Sequence, residues 1–160
     1  MERITRDTVA LFNELKKELT GLDVAENETI AFTYCQISQL WHHAFSVSLT
    51  IGNQNVWRIK NWNTNFYRKG FENGWFNLDR IAINEKKIEI SDPEFSKIQA
   101  LLDKDLSKNK VSGFILDGLF CQLKIGNKIL EWNIDREMNE NLTNLTSLLR
   151  DKASGQLKNE

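Results

Sequence analysis

Two periodicities divide this chain. In three stretches the apolar residues recur every three or four positions, and through most of the remainder they recur every second position. The first helical stretch carries Leu11, Phe12, Leu15 and Leu19 and stops at Gly21. Thr5 can cap it, and Ile4 and Val9 are spaced for a hydrophobic staple. Alternation then takes over: Ile30, Phe32 and Tyr34 share one face of TIAFTYCQI, and Phe45, Val47, Leu49 and Ile51 share one face of HAFSVSLTI. A turn at 38–41 pairs these strands with Tyr34 opposite Phe45, Phe32 opposite Val47 and Ile30 opposite Leu49. Thr33 with Ser46 and Ala31 with Ser48 then fall on the reverse face. A slip of one residue would set serines against aromatics, so the pattern selects the register.

Gly52-Asn53 turns the chain into VWRIKNW, where Trp57 and Ile59 continue the apolar face if the connecting loop has an odd number of residues. Two short strands are expected around DRIAI and KIEIS, joined at 84–86. Asp92-Pro93-Glu94 is a helix start, because proline is pre-shaped for the first turn and its missing N–H is not needed there. The stripe Phe95, Ile98, Leu101, Leu102 and Leu106 follows it. SGFILDG reads as a strand ending at Asp117-Gly118. LFCQLKI and KILEWNI flank Gly126-Asn127, a two-residue hairpin turn. That register sets Leu123 opposite Leu130, Cys121 opposite Trp132 and Leu119 opposite Ile134. A last helix carries Met138, Leu142, Leu145, Leu148 and Leu149, with a frayed tail from Ala153.

These elements describe one α+β domain over residues 1–152, followed by the tail at 153–160. Its expected architecture is a largely antiparallel, twisted sheet, a meander of hairpins, with its apolar face against about three helices. The reverse face is left polar and partly exposed. Leu-x-Ile-Gly-Asn recurs at 49–53 and 123–127, each time followed by a tryptophan. This weak internal echo fits either a duplicated hairpin-helix unit or two independent hairpins.

Composition narrows the classes. The 160 residues are 41% apolar and 27% charged, ordinary values for a folded domain able to bury its own core. A net charge of −1 supplies no overall field toward nucleic acid or an anionic membrane. The opening MERITRDTVALF interleaves charges with apolar residues, unlike a signal peptide, and no run is long enough to span a bilayer. A cytoplasmic, reduced protein without a membrane partner is therefore expected. Asn-x-Thr occurs at Asn27, Asn141 and Asn144, but two of these lie in the expected last helix and read as chance.

Candidate chemistry is sparse. Cys35 and Cys121 are too few for a disulfide framework and lack metal-ligand spacing. His42 lies opposite Ile37 in the register above, diagonal to Cys35, while His43 points to the other face. A Cys35/His42 pair is conceivable, but nothing supplies an orienting group or an oxyanion hole. Asp79, Glu85, Glu89 and Asp117 are scattered, and the motifs of phosphate loops, serine elbows and dinucleotide sites are absent from the sequence. Catalysis is disfavoured, and no cofactor or metal is expected.

The conspicuous segment is 57–76, which holds seven of the sixteen aromatic residues and sets Arg58, Lys60, Arg68 and Lys69 against one acid, Glu72. Such rings can fill a core beneath a long connection. They can also anchor a partner, since tryptophan, tyrosine and arginine combine rigid area with a polar handle. The functional reading is a non-catalytic protein-binding module, such as a small intracellular inhibitor or immunity-type protein. Its expected contact residues are Trp57, Arg58, Lys60, Trp62, Phe66, Tyr67, Arg68, Lys69 and Trp75, with Trp62, Tyr67 and Arg68 as exposed anchors. The rival partner is a single-stranded nucleic acid or a glycan, stacked on the rings with the cations tracking phosphate. The net charge weighs against it. An enzyme of unknown type is the third reading.

Overall fold

A computed structural model describes residues 12–38, 44–62, 83–109, 119–133 and 135–157. The alternating segments form one six-stranded antiparallel sheet. In chain order its strands are β1 (Thr29–Ile37), β2 (Ala44–Ile51), β3 (Val56–Trp62), β4 (Asn84–Glu89), β5 (Phe120–Ile125) and β6 (Lys128–Trp132). Their spatial order is β4-β3-β2-β1-β5-β6, so the β2–β3 and β5–β6 hairpins flank β1 on opposite sides. Residues 12–20 are helical and form the described part of α1. The other helices are α2 (Asp92–Leu102) and α3 (Glu140–Leu157), the latter preceded by a short 3-10 turn at Asp135–Glu137. The fold is the α+β arrangement read from the sequence.

Alternation assigns Phe32, Tyr34, Phe45, Val47, Leu49, Trp57, Ile59, Cys121, Leu123 and Trp132 to one sheet face. There they form the larger core with Ile98, Leu106, Met138, Leu142, Leu145 and Leu149 from the α2 and α3 regions. Rings meet at mixed angles: Tyr34 stacks on Trp132 at 6.1 Å, and Phe32 meets Trp57 edge-on at 6.0 Å. Lys152 of α3 reaches Glu94 of α2 at 2.8 Å, and its ammonium lies 5.4 Å from the Trp57 ring centroid.

The reverse face, expected to be polar and partly exposed, is covered over part of its area and open over the rest. Helix α1 lies on it, burying Leu15 and Leu19 against Cys35, Ile37, Ala44 and Trp62, with Phe12 and Phe120 packed alongside. Ser46 and Ser48, polar positions that alternation alone would send to solvent, are fully buried. Ser46 Oγ donates to the Leu19 carbonyl at 2.6 Å, and Ser48 Oγ donates to Thr33 Oγ1 at 3.1 Å. Buried hydroxyls are tolerated when bonded, and these two are.

The β5–β6 register is as read: Cys121 faces Trp132 and Leu123 faces Leu130. Gly126 provides the left-handed turn residue at φ 58°. The β2–β3 pairing sets Leu49 opposite Trp57 and Val47 opposite Ile59, which satisfies the odd-length condition.

Between β1 and β2 the register differs by two residues: Tyr34 faces Val47, Gln36 faces Phe45, and Thr33 faces Ser48. The connection is longer than a four-residue turn, and a shift of two keeps every side chain on its assigned face. A bulge between Ile30 and Phe32 then shifts the strand's first residues. Ala31 packs on the larger core, whereas Ile30, placed there by simple alternation, is 41% exposed.

Residues 84–86 are not a turn. They lie within β4, which among the described strands is at one edge of the sheet, where Glu85, Lys86 and Lys87 suit a position that an open edge would otherwise offer to other chains. Helix α2 begins at Asp92-Pro93 as expected, with Ser91 Oγ accepting the Glu94 N–H. It stops at Leu102, so Leu106 reaches the core from the following loop. Asn139 caps α3 through Oδ1, accepting the Leu142 N–H at 2.8 Å. Helix α3 continues past Ala153, which is itself buried, to Leu157. The expected turn at 38–41, the strand DRIAI, the strand SGFILDG with Asp117-Gly118, and His42 and His43 lie wholly or largely outside the described residues.

Candidate functional site

The aromatic and basic segment enters the structure through β3, where three of the four expected contact residues, Trp57, Arg58 and Trp62, are buried and Lys60 is half-buried. Trp57 is fully buried between the sheet and Lys152, and Trp62, the expected exposed anchor, is 2% exposed beneath α1. The burial follows from alternation on a strand packed on both faces: Trp57 and Ile59 point to the α2–α3 side, and Arg58 and Trp62 point to the α1 side.

Arg58 and Lys60 are engaged as well. Arg58 Nη1 donates to the Asp23 carbonyl at 2.6 Å, and Nε pairs with Glu85 Oε1 at 2.8 Å. Lys60 Nζ donates to the carbonyls of Glu18 and Gly21. With Ser46 on Leu19, three side chains of the sheet serve the backbone carbonyls at and just after the end of α1. That is where unsatisfied acceptors and the negative end of a helix dipole favour donors and cations. The cations read as phosphate trackers therefore hold a helix end. Phe66, Tyr67, Arg68, Lys69 and Trp75 lie outside the described residues.

A second polar group surrounds Cys121 on the larger core side. Arg150 of α3 grips Asp135 through both terminal nitrogens, at 2.8 and 3.0 Å, and donates through Nε to Gln36 Oε1 at 2.7 Å. The Tyr34 hydroxyl donates to the same Gln36 oxygen at 2.7 Å and lies 3.7 Å from Cys121 Sγ. Burial pushes the Cys121 thiol up, against the opposing pull of Tyr34 and Arg150. Burial likewise raises the Tyr34 hydroxyl. All three guanidinium nitrogens donate within the protein, so this network fastens α3 to β1.

Cys35 belongs to the other face and is wholly buried. Burial, reinforced by Cys121 and partly opposed by Lys16, pushes its thiol up to about 12. A nucleophilic cysteine needs the thiolate, which a shift in this direction suppresses at neutral pH. Cys35 and Cys121 occupy adjacent strands but point to opposite faces, and both are free thiols. Among the described residues no group of His, Cys, Asp and Glu is arranged to hold a metal ion, and no helix is long and apolar enough to cross a membrane.

Among the described residues a cleft of about 360 Å³ lies open beyond the end of α1, on the reverse face of β1, β5 and β6. Thr33 of β1 lies opposite Lys124 of β5, and Lys124 lies opposite Ile129 of β6, so these three form a row across the sheet. Ile30 and Gln122 add further walls, and Thr20 closes the helix side. Ile30 and Ile129 are two of the three large hydrophobic side chains with substantial exposure among the described residues, and the third, Val24, lies in the loop after α1. No expected site residue lines this cleft. Its signal in the sequence was Ile129, an aliphatic residue at a position that alternation assigns away from Leu130 and Trp132. The bulge that turns Ile30 outward left no comparable mark.

Comparison with protein-family models, curated proteins and solved structures finds no match for this chain.

Proposed function

We propose that this chain is a non-catalytic protein-binding module, of the kind represented by small inhibitors and immunity-type proteins. The observation that supports the reading is the open cleft flanked by Ile30 and Ile129 on a sheet whose remaining described surfaces are covered or charged. Aliphatic side chains held in water at the rim of a concavity gain from being covered, and a partner's side chain is what covers them in a protein interface. The contact region proposed here is the β1–β5–β6 cleft, since Trp57, Arg58, Lys60 and Trp62 serve the fold.

Affinity capture from a native lysate tests this reading against matched variants. Ile129→Asp and Ile30→Asp alter exposed positions, so the melting temperature should hold within a few degrees while a specifically retained protein is lost. Equal recovery by wild type and both variants, or no specific recovery by wild type, would count against the proposal.

A further inference from the structure

Lys124 stands between Thr33 and Ile129 in the cross-strand row of the cleft, and no carboxylate is among the described residues that line it. The nearest acid across the strands, Glu131, is already held by Gln122 Nε2 at 2.7 Å and faces Lys16 at 3.7 Å. Lys124 itself forms no side-chain ion pair or hydrogen bond among the described residues. The site therefore joins an unneutralised ammonium to two exposed isoleucines within one concavity.

Resting on the protein-binding reading above, we infer that the cleft receives an acidic, aliphatic polypeptide segment. An Asp or Glu carboxylate meets Lys124 while a neighbouring Leu, Ile or Val side chain sits between Ile30 and Ile129. The two contacts reinforce one another. Aliphatic cover lowers the effective dielectric around the ion pair, and the ion pair fixes which carboxylate-bearing sequences are accepted. A basic segment would place like charges together without a compensating acid among the described lining residues, so charge also sets the discrimination.

The test is selection of a random peptide library on the full-length wild-type protein and on Lys124→Glu, with thermal melts confirming that the variant folds. Wild type should enrich sequences that join Asp or Glu to an aliphatic residue, and Lys124→Glu should shift the enrichment toward Lys or Arg. A synthetic enriched peptide should perturb the amides of Ile30, Lys124 and Ile129. It should lose affinity several-fold when its acid is replaced by the matching amide. Peptides that bind equally well to both proteins, or without their acid, would overturn the acidic-aliphatic assignment and leave the protein-binding reading standing. Absence of any enriched peptide would overturn both, and in that case octanoate shifting the same amides would reassign the cleft to a small amphiphile.

Discussion

Single residues here are decided by which side of the sheet they face. Cys35 and Gln36 are neighbours in β1, yet one thiol is sealed under α1 while the amide joins the Arg150 network on the opposite side. Burial fixes the consequence for Cys35. Its thiol is raised from 9.0 to about 12, so below pH 9 both folded and unfolded chains keep the proton and stability is undisturbed. Between these values the unfolded chain releases the proton and the native one retains it, so stability must fall as pH rises, by up to about 1.4 kcal/mol per pH unit for one group. Tyr34 and Cys121 are displaced in the same direction and add to the slope. Urea denaturation of wild type from pH 8 to pH 11 should show this alkaline loss, and Cys35→Ala should flatten it. Identical slopes for the two proteins would contradict the burial argument. At neutral pH both thiols should resist alkylation until the chain unfolds.

At the scale of elements, strands whose turns are written in the chain were legible and strands joined by undefined loops were not. Gly126-Asn127 admits one hairpin register, so β5 and β6 were placed residue for residue. The β1–β2 connection carries no such signal, and the pairing moved by two residues while faces were preserved. Helix α1 shows a further limit, because the Leu15–Leu19 stripe says that a helix is buried but not on which side of a sheet. The clue lay in the minor alternation of Cys35, Ile37 and Ala44, which is apolar on the face assigned to solvent. The same ambiguity concealed the role of Arg58 and Lys60, since a cation that binds helix carbonyls and one that binds phosphate look alike in a sequence. Arg58→Ala separates the two. It removes the ion pair to Glu85 and the bond to the Asp23 carbonyl, so unfolding free energy should drop by about 2 kcal/mol. A variant as stable as wild type would return Arg58 to the pool of binding residues.

For the described molecule, one sheet separates two hydrophobic clusters of unequal size. Two helices cover the larger, and a single helix closes the smaller through Leu15 and Leu19. The central strands β2 and β3 are covered on both faces, whereas α1 is held from one, mainly by that cluster and the donors at its end. The free energy of opening should therefore be graded, with α1 detaching before the sheet melts. Leu19→Ala deletes a wholly buried side chain from the smaller cluster and should cost about 2–5 kcal/mol. The loss should not be shared evenly. Native-state hydrogen exchange should speed up first at residues 12–20, while β1, β2 and β5 stay protected by their ladder bonds and by the packing of α2 and α3. A uniform rise in exchange across all elements would mean that the two clusters melt as one cooperative unit. Graded opening also bears on the cleft, because Thr20 of α1 forms part of its wall. A partner that binds only the closed wall should restore protection to residues 12–20 in the Leu19→Ala protein, linking occupancy of the reverse face to the seating of its one helix.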